Sequence, residues 1–135
     1  MTTPSRKGRI LIIDDSEALL GVARAALTPA GYEVVTTAQT VGAARHLREC
    51  DLVLVDFHMP GLDGRAVLQS LRAAASASAS PPLFYLYTSD LEVERDPEKL
   101  GFDGAIRRKG NPAALVQEVD AVFRMLRLRA LQRRS

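Results

Sequence analysis

The chain has 135 residues, 47% of them hydrophobic and 25% charged, with 18 basic and 16 acidic side chains and a net charge of +2. A chain of that length suits one domain that buries roughly two-thirds of its unfolded surface, so its core needs neither metal nor disulfide. The charge is too near balance to argue by itself for nucleic-acid binding, the single cysteine excludes an internal disulfide, and no apolar run is long enough for a signal-peptide core or a membrane span.

In chain order, an N-terminal tail (1–8) leads into RILII at 9–13, a continuously apolar run that suits a central strand covered on both faces. Ser16 then offers an N-cap, and Leu19, Val22 and Ala26 step by three and four until Pro29 and Gly31 stop the helix. YEVVT at 32–36 is a second strand, followed by a helical pattern at Val41, Ala44 and Leu47. LVLV at 52–55 is a third strand, and Val67, Leu68 and Leu71 mark a third helix. AAASASASPP at 73–82 reads as the end of that helix and a surface loop. LFYLY at 83–87 is the fourth strand. Helical character is weakest at 91–100, where Asp96-Pro97 suits the start of a short helix. A short strand at 105–106 precedes Asn111-Pro112, an N-cap and first-turn proline, and Leu115, Val119, Val122 and Leu126 line one face of the last helix. Residues 9–130 form the expected domain, with a basic tail at 131–135. Strand and helix alternate five times, which predicts an α/β fold with a parallel sheet between two helical layers.

In such a sheet, ligands bind beyond the carboxyl ends of the strands. Strand one ends in Asp14-Asp15, strand three in Asp56, strand four in Thr88-Ser89, and Lys109 follows strand five. If strands one and three are neighbours, three carboxylates converge and repel unless a cation or proton intervenes. Mg²⁺ suits a site of few carboxylates, waters and a phosphate. With the charge neutralised, one carboxylate can attack phosphorus, and Lys109, Thr88 and Ser89 can meet the phosphoryl oxygens. Asp15, Ser16 and Asp63 also suit helix capping, and the lysine suits a solvated surface; the joint placement at several strand ends favours a phosphoryl-transfer site.

Asp14-Asp15, Asp56 followed by Met59-Pro60 and Asp63-Gly64, Thr88 and Lys109 stand in the order and spacing of a known family. Over about residues 8–128 the chain resembles the receiver domain of bacterial response regulators. The resemblance implies a flavodoxin-like (βα)5 doubly wound parallel sheet in strand order 2-1-3-4-5. It implies a phosphoacceptor at Asp56, served by a histidine kinase, a phosphotransfer protein or a small phosphodonor. Mg²⁺ would be held by Asp15, Asp56 and the His58 backbone carbonyl, with Asp14 acting through a water. Lys109 would pair with a phosphoryl oxygen, and the Thr88 hydroxyl would move toward it. His58 and Asp90 occupy positions that tune phosphate lifetime in the family, or are plain exposed loop residues. The protein would then be a cytoplasmic signalling module rather than an enzyme, gaining and losing phosphate on itself. It would meet an output protein directly, without nucleic acid or membrane, as a monomer or weak dimer.

Two positions depart from the pattern. Ile106 stands three residues before the lysine, where the family has an aromatic, and Gly110 stands where it has proline. The segment around Pro97 is also atypical, and all three departures fall on the face the family uses for output, so the expectation is intact phosphate chemistry with an unusual output. A pseudo-receiver, acting by phosphate-independent contact, is the alternative. A dehalogenase-type phosphatase would want an acid at position 58, which is histidine, and Asp14-Asp15 would repel the phosphate of a flavin. After Asp120 come five arginines and no acid, read as a solvated basic face or a surface for an acidic partner. No output domain follows in this sequence, so a single-domain receiver is expected.

Overall fold

Runs of Ile, Leu and Val with no polar alternation can lie flat only where both faces of a strand are covered. The computed structural model, which describes residues 7–40, 42–56, 64–78, 80–88 and 97–134, covers them so. β1 (Gly8–Ile13), β2 (Tyr32–Thr37), β3 (Leu52–Asp56), β4 (Leu83–Tyr87) and β5 (Gly104–Ile106) form one parallel sheet in the order β2-β1-β3-β4-β5. This is the flavodoxin-like order. Among the described residues the helices are α1 (Glu17–Leu27), α2 (Gly64–Ala75) and α3 (Pro112–Arg134).

The pleat divides the core in two. Ile10, Ile12, Leu52, Leu54, Tyr87 and Ile106 face α1 and α3. Leu11, Ile13, Val53, Val55, Phe84 and Leu86 face α2. The register sets Ile10 beside Val34 on one flank and Leu52 on the other, and lines up Asp56, Tyr87 and Ile106 across β3, β4 and β5.

Three local expectations are corrected. α1 buries Leu20, Ala23 and Leu27, while Val22 is 37% exposed. The sequence EALLGVARAAL carries two apolar stripes one residue apart, and packing on the sheet selects the second. Between β2 and β3 the expected helix is only a 3-10 turn, Ala43–His46. Gly42, at φ +80°, is left-handed and cannot continue a right-handed helix, so Ala43, Leu47 and Cys50 reach the core and Ala44 is exposed. A second 3-10 turn, Pro97–Leu100, opens at the proline; residues 89–96 lie outside the described residues. α3 continues through Arg134, so 131–134 are helix rather than tail.

α3 starts where Asn111 Oδ1 accepts from Ala114 N–H (3.1 Å), with Pro112 as first helical residue. It buries Leu115, Val119, Val122 and Phe123. The Tyr32 hydroxyl donates to Asp120, and the Tyr32 and Phe123 ring centroids lie 4.9 Å apart. Leu126 still packs against the core, and past it the helix leaves: Arg127 and Arg129 are exposed, as are Leu128 and Leu131. Arg72 on α2 donates to the Gly101 carbonyl and to Asp103, and stacks on Phe84, tying α2 to the entry of β5. Among the described residues no helix is long and apolar enough to cross a membrane.

Gly8 lies beneath Phe123, whose Cε1 would be 2.1 Å from an added Cβ, whereas Gly21 in α1 has open space around it. Gly8→Ala should therefore cost ~1–3 kcal/mol by overpacking, and Gly21→Ala should gain ~0.5–1 kcal/mol of helix stability. Urea denaturation should show the two midpoints moving in opposite directions. The Cys50 thiol is buried and donates to the His46 carbonyl. Burial pushes its pKa from 9.0 up to about 11, against the pull of Arg9. Only the thiolate alkylates, so iodoacetamide at pH 8 should react about 100-fold more slowly than with an ordinary thiol. Denaturant should remove that protection.

Candidate functional site

Parallel pairing with a single reversal of direction at β1 and β3 brings the carboxyl ends of those strands side by side. Asp14 directly follows β1, and Asp56 is the last residue of β3. Both are buried, at 0% and 2% exposure, whereas Asp15 is exposed at the rim. The three carboxylates offer oxygens that all lie within 4.8 Å of one another.

Local hydrogen bonds separate capping from the acid cluster. Ser16 caps α1 by accepting from Leu19 N–H (3.2 Å). Asp14 is pinned by its own backbone, whose N–H donates to the Thr37 carbonyl (3.2 Å), and its Oδ1 accepts from Ser16 N–H (3.0 Å). Its other oxygen turns toward Lys109.

Lys109 supplies the cation that makes this burial tolerable. Its Nζ lies 2.7 Å from Asp14 Oδ2 and 3.2 Å from Asp56 Oδ1, and its side chain is only 8% exposed. The ammonium also sits 5.2 Å from the centroid of the Tyr87 ring. Burial raises the Tyr87 hydroxyl pKa well above its ordinary value, and the negative charges of Asp14 and Asp56 raise it further. Tyr87 escaped the sequence reading. The available signal was LFYLYT, whose alternation puts Tyr87 on the same sheet face as Asp56.

Thr88 is buried directly after β4, and its N–H donates to the Ile106 carbonyl (3.0 Å), extending the β4–β5 ladder. Ile106 is fully buried in the α1/α3 half of the core. On the opposite face of β5, registered against Leu86, stands Ala105. Gly110 has φ +91°, a left-handed conformation that proline's ring cannot adopt. The turn beyond Lys109 therefore follows a different path from one built on Lys-Pro. His58, Met59, Pro60, Asp63, Ser89 and Asp90 lie outside the described residues.

The donor set fits a hard divalent cation. Oxygens bound to one Mg²⁺ at ~2.1 Å are at most ~4.2 Å apart, so the cluster needs only a small closure to embrace it. Two buried acids, one rim acid and one lysine leave an excess of negative charge for such an ion to neutralise.

A family model described as the response regulator receiver domain matches residues 10–120. Among curated relatives, a probable transcriptional regulator, ycf27, of Cyanophora paradoxa is 31% identical over 120 residues, covering 87% of this chain and 49% of that protein. The protein-glutamate methylesterase/protein-glutamine glutaminase 5 of Myxococcus xanthus is 36% identical over 114 residues, 82% of this chain and 32% of the relative. The chain thus spans half or less of these relatives' lengths. Among solved structures, the chemotaxis protein CheY4 of Vibrio cholerae superposes with a TM-score of 0.71 at 24% identity, covering 85% of this chain and 98% of the other. The signal receiver domain of an HD domain-containing protein from Pseudomonas fluorescens gives 0.72 at 19% identity, with 96% of each chain covered.

Replacing Lys109 with Met would leave two buried carboxylates facing each other. Lys109→Met should cost ~3–5 kcal/mol in urea denaturation with chelator present. Added Mg²⁺ should recover part of that loss, and more than it stabilises the wild type.

Proposed function

From the premise that this chain belongs to the response regulator receiver domain family, we propose that it accepts a phosphoryl group on Asp56 and signals by protein contact. The observation that carries this reading is the buried Lys109 ammonium held between Asp14 and Asp56, with Asp15 at the rim. A carboxylate oxygen of Asp56 forms the new bond to phosphorus. The bond from phosphorus to the donor's leaving atom breaks, and its electron pair departs with that atom. Mg²⁺, when bound, neutralises the acids and polarises the phosphoryl oxygens. Asp15, Asp56 and the His58 carbonyl would hold it, and Asp14 would act through a water. Lys109 turns from Asp14 to a phosphoryl oxygen, as a point charge on a flexible stem can. The Thr88 hydroxyl donates to another. His58 and Asp90 stand at the sequence positions that would set how fast water removes it.

The donor is a histidine kinase or phosphotransfer protein, or a small acyl phosphate. The chain catalyses only its own gain and loss of phosphate, in the cytoplasm, as a monomer or weak dimer. Ile106, fully buried in the core, and the left-handed Gly110 favour an output that does not use a swinging aromatic on β5. The same two features support the second reading, a phosphate-independent interaction module.

Incubation with acetyl phosphate and Mg²⁺ should add one phosphoryl group to the intact mass. Asp56→Asn or a chelator should abolish the gain. A folded protein that gains nothing at any donor concentration would favour the second reading.

A further inference from the structure

We propose that Tyr87 is a positioning residue for Lys109, its ring face holding the ammonium over Asp56; this rests on Asp56 being the phosphoacceptor. Strand register is the source of the arrangement. Tyr87 is the β4 partner of Asp56, so both side chains leave the sheet on the same face. The Tyr87 side chain is 1% exposed and its ring is fixed by the packed core around it. Lys109 enters over this ring from the turn that ends in Gly110, and its Nζ lies 5.2 Å from the ring centroid. The two carboxylates meet the same ammonium at 2.7 and 3.2 Å.

A lysine side chain has four rotatable bonds and, unlike arginine, no fork to fix its head group. Its position must come from the walls around it. The carboxylates provide one wall, and Tyr87 provides another that is apolar in shape yet attractive to a cation. The attraction of a ring face has little directional preference compared with a hydrogen bond. The ammonium can therefore exchange Asp14 for a phosphoryl oxygen while it stays against the ring. An aliphatic residue at position 87 would fill the same core without that attraction, and the lysine would spend less time over Asp56. The ring, not the hydroxyl, carries this role.

The test compares Tyr87→Phe and Tyr87→Leu with the wild type in acetyl phosphate at saturating Mg²⁺, following intact mass over time. Calorimetry gives the Mg²⁺ affinity of each. Tyr87→Leu should be phosphorylated about tenfold more slowly, with Mg²⁺ affinity changed less than about twofold, and Tyr87→Phe should restore the rate. Equal rates for wild type and Tyr87→Leu would overturn the inference, as would Tyr87→Phe being as slow as Tyr87→Leu. Parallel losses of Mg²⁺ affinity and rate would also overturn it, since they signal general damage to the site. A wild type that never gains phosphate would overturn the phosphoacceptor reading and this inference together. A second measurement needs no position-87 variant. In the wild-type proton spectrum the Lys109 ε-methylene signals, assigned by their loss in Lys109→Arg, should shift upfield under the ring. Their appearance at ordinary lysine positions would overturn the inference.

Discussion

Two carboxylates buried within reach of each other are unfavourable unless a positive charge lies between them. Asp14 and Asp56 meet that condition through Lys109, whose ammonium pairs with both. Much of the architecture serves this contact. β1 and β3 must be neighbours for the acids to converge, and β5 must lie on the far side of β4 for its exit turn to deliver the lysine. The two-faced core keeps the strand ends rigid, with β1 and β3 buried along nearly their whole lengths. The pairing that stabilises the site is also the one a divalent cation and a phosphoryl group would rearrange. Structural charge compensation and chemistry thus use the same atoms.

The exit of β5 shows how one local choice propagates. Gly110 takes a left-handed turn, and Lys109 reaches the acids from that turn. Ile106 anchors the strand from the α1/α3 side, and Ala105 packs against the α2-side core. Among the described residues, the ring that lies against the lysine comes from β4 instead, as Tyr87. An aromatic held within the core can steady a charge but cannot swing outward to report on it.

On the other side of the sheet, arginines tie α2 to the chain that enters β5. The segment between β2 and β3 is reduced to a 3-10 turn. Arg65 donates to the Lys99 carbonyl and Arg72 to the Gly101 carbonyl, so α2 grips the chain as it enters β5. α2 starts at Gly64, eight residues after Asp56, so this grip links the neighbourhood of the acid cluster to β5 through one helix.

The sequence by itself determined the five strands, because uninterrupted apolar runs have no other favourable placement, and it determined the acids and lysine at their ends. The start of α3 was legible in Asn111-Pro112 because capping is local chemistry. Residues Leu68 and Leu71 on α2, and Leu115, Val119 and Val122 on α3, were legible because one stripe alone was apolar. In α1 two stripes competed, and only the sheet beneath could choose Leu20, Ala23 and Leu27. The turn at Gly42 was hidden because a glycine's backbone angle is set by its surroundings, not by its identity. Which partner each acid took was likewise a tertiary matter. Asp14, Asp56, Tyr87 and Lys109 come from three strand ends and a turn, far apart in the chain. Their distances follow from strand order and register, and no pattern within any one segment encodes them.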